Sequence, residues 1–141
     1  MHVAAVVVAL LSGVVSCSAS AGGAPRPPVI HESFTVLPCP AHPVSTLDME
    51  ACAEKALRHS DRAINGRAKT IFGFLRSSVA RTALVRSEQS WLRYRRASCS
   101  AQASVYAGGS AEPVAFASCE VNRNRTHLAD LAEMERWLRQ R

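Results

Sequence analysis

The sequence predicts an all-α fold: a long antiparallel helical hairpin followed by a C-terminal helix, stapled by two disulfides. Three observations carry this expectation. Apolar residues recur at helical spacing over two long stretches on either side of Ser77-Ser78. Four cysteines, at 39, 52, 99 and 119, fall where such a hairpin can join them. No stretch shows the period-two alternation of a half-buried strand, and there is no internal repeat or second domain.

The first element is an export signal. Val3 to Val15 has no charge and hardly a polar side chain, is too short to span a bilayer, which takes about 20 apolar residues, and ends in small residues. Its n-region holds no Lys or Arg. Two exits are readable: Val14-Val15-Ser16-Cys17 resembles a lipobox, and Ala19-Ser20-Ala21 resembles an ordinary signal-peptidase site. Either leaves an even number of mature cysteines, so parity excludes only an uncleaved chain. The lipobox is preferred, because Cys17 sits where the apolar run stops. Residues 1–16 are then the signal peptide, and 17–28 a lipidated N-terminus with a Ser, Ala, Gly and Pro tether. Residues 29–141 are a single domain, exported and lipid-anchored in the cell envelope; cleavage after Ala21 would give a soluble secreted or periplasmic form.

Ser45-Thr46-Leu47-Asp48 predicts the start of helix 1, with Ser45 as N-cap and an acid three residues on. Ala53, Leu57, Ile64, Ala68, Ile71, Phe72 and Leu75 then share a face, and Gly66 and Gly73 weaken the helix without ending it. Beyond Ser77-Ser78, Leu84, Val85, Trp91, Leu92 and Cys99 define helix 2 to about Tyr106. Ala107-Gly108-Gly109-Ser110 breaks it. Pro113 is expected to keep the next segment irregular, and a last helix to run from about Cys119 to Trp137.

Of the three pairings open to four cysteines, hairpin geometry prefers one. Cys52 points off the apolar face of helix 1 toward the preceding loop and its Cys39. Cys99 near the end of helix 2 then joins Cys119, closing the Gly-rich loop. Three charged residues, Asp61, Glu88 and Arg95, lie on the otherwise apolar faces. A hairpin turning at Ser77-Ser78 sets Asp61 opposite Arg95, Asn65 near Trp91, Ile64 by Leu92, Ile71 by Val85 and Phe72 by Leu84. Asp61 and Arg95 are therefore expected to form a semi-buried structural ion pair, bidentate in geometry, that fixes the register.

The formal charge is +6, and apart from Lys55 and Lys69 every basic residue is Arg. For an exported domain this points to anionic envelope polymers or headgroups and not to nucleic acid. The candidate surface is the polar face of helix 2, Arg86, Arg93 and Arg96 with Tyr94 beside them; the plainer reading is a solvated face. No cofactor or metal is expected: His31, His42, His59 and His127 are scattered without ligand spacing, and the cysteines are committed to disulfides. No nucleophile motif, phosphate cradle or paired catalytic acids stands out, so the chain reads as no enzyme, with no catalytic residues.

The segment Glu88-Gln89-Ser90-Trp91-Leu92-Arg93-Tyr94-Arg95-Arg96-Ala97-Ser98-Cys99 resembles the Gln-x-Trp-x-x-Tyr-Arg-x-x-x-Cys core of the LprI-like family, small cysteine-containing domains of the bacterial envelope. Tyr106-Ala107-Gly108-Gly109-Ser110 and Cys119 resemble its Gly-Gly-Ser loop and second cysteine, and Cys52 with Asp61-x-x-Ile64-Asn65 resembles its upstream elements. The resemblance spans roughly residues 39 to 131. One departure is Asn122-Arg123-Asn124-Arg125-Thr126, where the family pattern places an apolar residue before the Thr. The resemblance implies an all-helical envelope domain and a lysozyme or another peptidoglycan hydrolase as partner. On that reading the Gly108 to Pro113 loop, including Gly109 and Ser110, is the candidate contact. The alternative is a structural or interaction lipoprotein that meets anionic polymer or another envelope protein through its Arg-rich face, with membrane contact through the lipid anchor only.

Overall fold

The computed structural model describes residues 23–32 and 37–141. The export segment, Cys17 and both candidate cleavage sites lie outside the described residues. Three α-helices follow one another, α1 over Thr46–Phe74, α2 over Ser78–Ala103 and α3 over Glu112–Arg139, with a short 3-10 turn at Ser104–Tyr106. No strand occurs among the described residues.

Each boundary has a local cause. The Ser45 hydroxyl accepts from the Asp48 amide at 3.1 Å while the Asp48 carboxylate accepts from the Ser45 and Val44 amides, each at 3.1 Å. This reciprocal box satisfies donors that the first helical turn leaves open. At the other end Arg81 Nε donates to the Leu75 carbonyl at 2.9 Å, and the Ser77 hydroxyl accepts from the Ala80 amide at 3.1 Å. A three-residue connection, Leu75 to Ser77, thus both ends α1 and caps α2.

The start of α3 differs from expectation. It begins at Glu112, seven residues before Cys119, with Pro113 in its first turn. Proline does not interrupt a helix there, because its missing N–H would have no intrahelical acceptor at that position and its fixed φ already suits the helix. The expected loop of Gly108 to Pro113 is accordingly shorter, ending at Ala111.

Pairings across the helices set their directions. Asp61 meets Arg95 between α1 and α2, Glu88 meets His127 between α2 and α3, and Ser60 and Arg67 of α1 meet Asn124 and Glu135 of α3. The order is therefore up, down, up, with α1 and α3 parallel. The hairpin is present, yet α3 packs most closely on α1, and the chain neighbours α1 and α2 stand further apart. Residues Pro28 to Ile30, outside any helix or strand, lie in the groove between those two. Pro28, which composition assigns to the tether, lines that groove as well.

Toward the hairpin turn the core is apolar: Ile64, Ile71, Phe72, Leu84 and Leu131 are buried, and Ile30, Val85, Trp91, Leu128 and Leu138 pack against them. Full burial of each such side chain contributes about 1.5–3 kcal/mol. The disulfides Cys39–Cys52 and Cys99–Cys119 form as expected. Between them and the apolar core the three helices meet in a polar layer.

Candidate functional site

The polar layer is organised by one side chain. Arg95 is fully buried, the largest such residue among the described residues. Its Nη1 donates to Oδ1 of Asp61 and to Oδ1 of Asn124, both at 2.7 Å, and its Nη2 donates to Glu32. Its Nε faces Glu120 Oε1 at 3.3 Å. Asn124 completes the net by donating from Nδ2 to Asp61 Oδ1 at 2.8 Å and to the Ser60 hydroxyl at 2.7 Å. The expected Asp61–Arg95 ion pair forms, but it is buried and engages through a single Asp61 oxygen. Only one Asp61 oxygen engages the guanidinium, because three further acceptors from α3 and the N-terminal segment share its donors.

The flanking groups extend the layer. The guanidinium lies 5.3 Å from the Trp91 ring centroid. His127 also stacks on Trp91, with centroids 3.8 Å apart and planes 10° from parallel, and its Nε2 is 2.8 Å from Glu88 Oε2. Burial pushes Arg95 toward losing its proton, but Glu120, Asp61 and Glu32 outweigh that and raise its pKa. Glu120 is fully buried, and burial pushes its pKa up to about 7 against the opposing pull of Arg95, with Glu32 and Asp61 adding to the rise. Both Glu120 oxygens lack a well-aligned hydrogen-bond donor. One guanidinium does not fully offset three nearby carboxylates, and the least solvated of them, Glu120, keeps its proton to higher pH than a free carboxyl. Arg95, Glu120 and Asn124 are closed to solvent, while Glu32 stays partly exposed at the edge of the layer.

Sequence reasoning found Asp61, Glu88 and Arg95 and missed Ser60, Glu120, Asn124, His127 and Glu32. A signal existed for the α3 members. Glu120, Asn124, His127 and Leu131 follow an i, i+4, i+7, i+11 stripe, the core-facing positions of a helix. Asn124 thus stands within the stretch that departs from the apolar family pattern, and it is fully buried.

At the end of the bundle remote from the hairpin turn, the chain between α2 and α3 forms a short loop closed at its base by Cys99–Cys119. The Ala107 amide donates to the Ser104 carbonyl at 3.1 Å, the Gly109 amide to Tyr106 at 2.9 Å and the Glu112 amide to Gly109 at 3.1 Å. The Glu112 carboxylate accepts from the Gly108 amide at 2.9 Å. Gly108 has φ +77, a conformation that side chains rarely adopt, and a Cβ on Gly109 would meet the Tyr106 carbonyl oxygen at a tight 3.1 Å. Gly108, Gly109 and Ser110 are exposed, as expected, but the large side chains at the tip are Val105 and Tyr106, 80% and 51% exposed. From Ser98 to Ala111 the chain holds no Asp, Glu, Lys, Arg or His.

The arginines of α2 form a second surface. Arg86, Arg93, Tyr94 and Arg96 are all exposed. Arg93 and Arg96 line one shallow depression with His31, Glu32, Gln89 and Leu92, and Arg86 is not part of it. The cation over the Tyr94 ring, at 5.7 Å, is Arg123 of α3, not a neighbour on its own helix. Among the described residues, no cluster of His, Cys, Asp or Glu is placed to hold a metal ion, and no helix is long and apolar enough to cross a membrane.

The family model described as Lysozyme inhibitor LprI matches residues 39–131. The chain belongs to the LprI family. No curated protein and no solved structure matches it. The LprI match contains both disulfides, the loop tipped by Val105 and Tyr106, and every member of the Arg95 layer except Glu32. In this LprI chain the groove between α1 and α2 is therefore built inside the family domain, while the segment seated in it lies outside.

Proposed function

We propose that this LprI chain is an exported, non-enzymatic binding module that inhibits a lysozyme or related peptidoglycan hydrolase, held to the envelope by lipid on Cys17. The observation that carries the reading is the loop from Ser104 to Ala111. It is pinned by a disulfide, braced by its own hydrogen bonds, and tipped by the exposed Val105 and Tyr106. A rigid aromatic tip supplies contact area at small entropic cost, the property that makes buried aromatic anchors dominate interfaces.

Charge bears on the same choice. The chain carries +6, so a basic lysozyme is repelled at long range, and steering cannot be what drives association. The loop itself is uncharged. The nearest charge in the chain to its tip is the Glu112 carboxylate, which is turned onto the Gly108 amide.

The test titrates lysozymes of differing surface charge with the oxidised soluble chain, at low and at physiological salt. Saturable inhibition that persists at physiological salt supports the loop; no inhibition of any of them sinks this reading. The second reading, binding of anionic envelope polymer, is favoured by one observation: Arg86, Arg93 and Arg96 make no ion pair among the described residues. Polymer binding through that face should weaken steeply with salt.

A further inference from the structure

The groove between α1 and α2 holds residues of the chain's own N-terminal segment, and it holds them as a peptide receptor holds a ligand. Asn65 reads the backbone: Ile30 donates its amide to Asn65 Oδ1 at 2.7 Å, and Asn65 Nδ2 donates to the Ile30 carbonyl at 3.3 Å. A side-chain amide paired with both polar groups of one residue fixes an extended chain without regard to its side chains. The Ile30 side chain packs against the buried apolar core. Two residues on, the Glu32 carboxylate meets the buried guanidinium of Arg95. Val29, the residue between Pro28 and Ile30, is 53% exposed.

Three further observations separate the seat from its occupant. Asn65, Trp91 and Arg95 lie in the family-matched region 39–131, while residues 28–32 precede it, so the domain builds the groove and other chain fills it. The first disulfide begins at Cys39, leaving the segment without a covalent staple among the described residues. Ile30 also underfills its place, since a partly open cavity of about 80 Å³ remains, lined by Ile30, Ile64, Ala68, Val85, Trp91 and Leu92 among others.

We propose that this groove is a binding site for an extended peptide segment carrying an apolar residue followed two positions later by a carboxylate. Residues 28–32 are its intramolecular occupant, and a partner protein's segment of the same pattern replaces them. Emptying the groove would leave the Asn65 amide and one side of the Arg95 guanidinium without these partners, which selects for a ligand that restores both contacts. The unfilled volume favours a side chain larger than isoleucine at the apolar position. The site is independent of the loop at the other end of the bundle.

The probe is a capped synthetic peptide with the sequence of residues 24–32. The receptor is the oxidised chain with its own segment disabled by Ile30→Asp and Glu32→Ala, in a Trp137→Phe background so that Trp91 reports binding by fluorescence. The peptide should bind saturably, and roughly tenfold more weakly when it carries Glu32→Gln or Ile30→Ala. A peptide with Ile30→Phe should bind more tightly than the native one. The chain with its native segment should bind all of them roughly tenfold more weakly, because its groove is taken. A receptor that keeps its helical circular dichroism and thermal transition yet does not bind the peptide, or binds a scrambled peptide equally, overturns the proposal. Should that receptor fail to fold, hydrogen exchange on the native chain decides. An exchangeable ligand requires the Ile30 amide to exchange through a local opening, far faster than the amides of Ile64 and Ile71. Exchange of Ile30 only with global unfolding would make the segment integral core and overturn it.

Discussion

Arg95 reaches Asp61 with one nitrogen only, Nη1 to Oδ1 at 2.7 Å, and uses the same nitrogen at the same distance on Asn124. The helix-to-helix contact in the middle of this fold is therefore a three-helix junction and not a pair. Removing the guanidinium leaves Asp61, Glu120 and Glu32 facing one another without a cation. Arg95→Met should destabilise the oxidised chain by about 3–5 kcal/mol, the range for breaking a buried ion pair from one side. Urea denaturation followed by circular dichroism measures it, and an unchanged midpoint would show that the junction does not hold the helices in register.

Glu120 gives the fold a pH dependence of defined sign. Its pKa is raised from 4.5 to about 7 by burial, so the folded state holds a proton that the unfolded chain releases more readily. Stability from this group is present below about pH 4.5 and is lost as pH rises through about 7. Inside that window, each step of one in pH should remove on the order of 1.4 kcal/mol. Asp48 and Glu135 have lowered pKa values, through the Ser45 hydroxyl and through Arg139, and act in the opposite sense at more acidic pH. Glu120→Gln, a neutral isostere, should match the parent chain near about pH 5 and exceed it near about pH 8. Parallel stability curves for the two chains would remove Glu120 as the cause.

The helices and staples were legible because they rest on local rules. Ser45 with Asp48 specifies a cap, Ser77 starts a helix after a break, and the apolar spacing from Leu57 to Phe72 specifies a face. The start of α3 was not, because Pro113 is read as a breaker unless one sees that it falls in a first turn. The candidate site was legible by half. Asp61 and Arg95 stood out as charges on apolar faces, but Glu120, Asn124 and His127 are polar side chains at core positions of α3, so a search for apolar residues alone passes over them. Glu32 meets Arg95 and Ile30 meets Asn65 across a groove that no periodicity describes, and long-range contacts of a segment outside the helices leave no local signal.

Cys99–Cys119 spans 20 residues and Cys39–Cys52 spans 13. Each closure should contribute about 2–4 kcal/mol, with slightly more from the longer loop. Replacing Cys99 and Cys119 together by Ala should lower the thermal midpoint and also release the ends of the loop tipped by Val105 and Tyr106. Limited proteolysis at Tyr106 should then accelerate, while cleavage within α1 stays slow. Equal protection of Tyr106 with and without the bridge would show that the loop's own hydrogen bonds suffice to hold it.

Tyr106 and Gly108 separate the contact made by the loop from the shape that presents it. The Tyr106 side chain is half exposed, so Tyr106→Ala should change stability by no more than about 0.5 kcal/mol. If Tyr106 anchors a hydrolase, the same change should weaken inhibition by roughly 30-fold, the size of a 2 kcal/mol hot spot. Gly108→Ala acts otherwise. No atom lies within 4 Å of the added methyl, so its cost is the φ of +77 alone, about 1–2 kcal/mol. That strain is relieved by distorting the turn that carries Val105 and Tyr106. Inhibition should therefore fall although no contacting side chain has been removed, and a hydrolase titration with the two variants reads both effects. Full inhibition by Tyr106→Ala and Gly108→Ala alike would move the contact away from this loop and toward the arginines of α2.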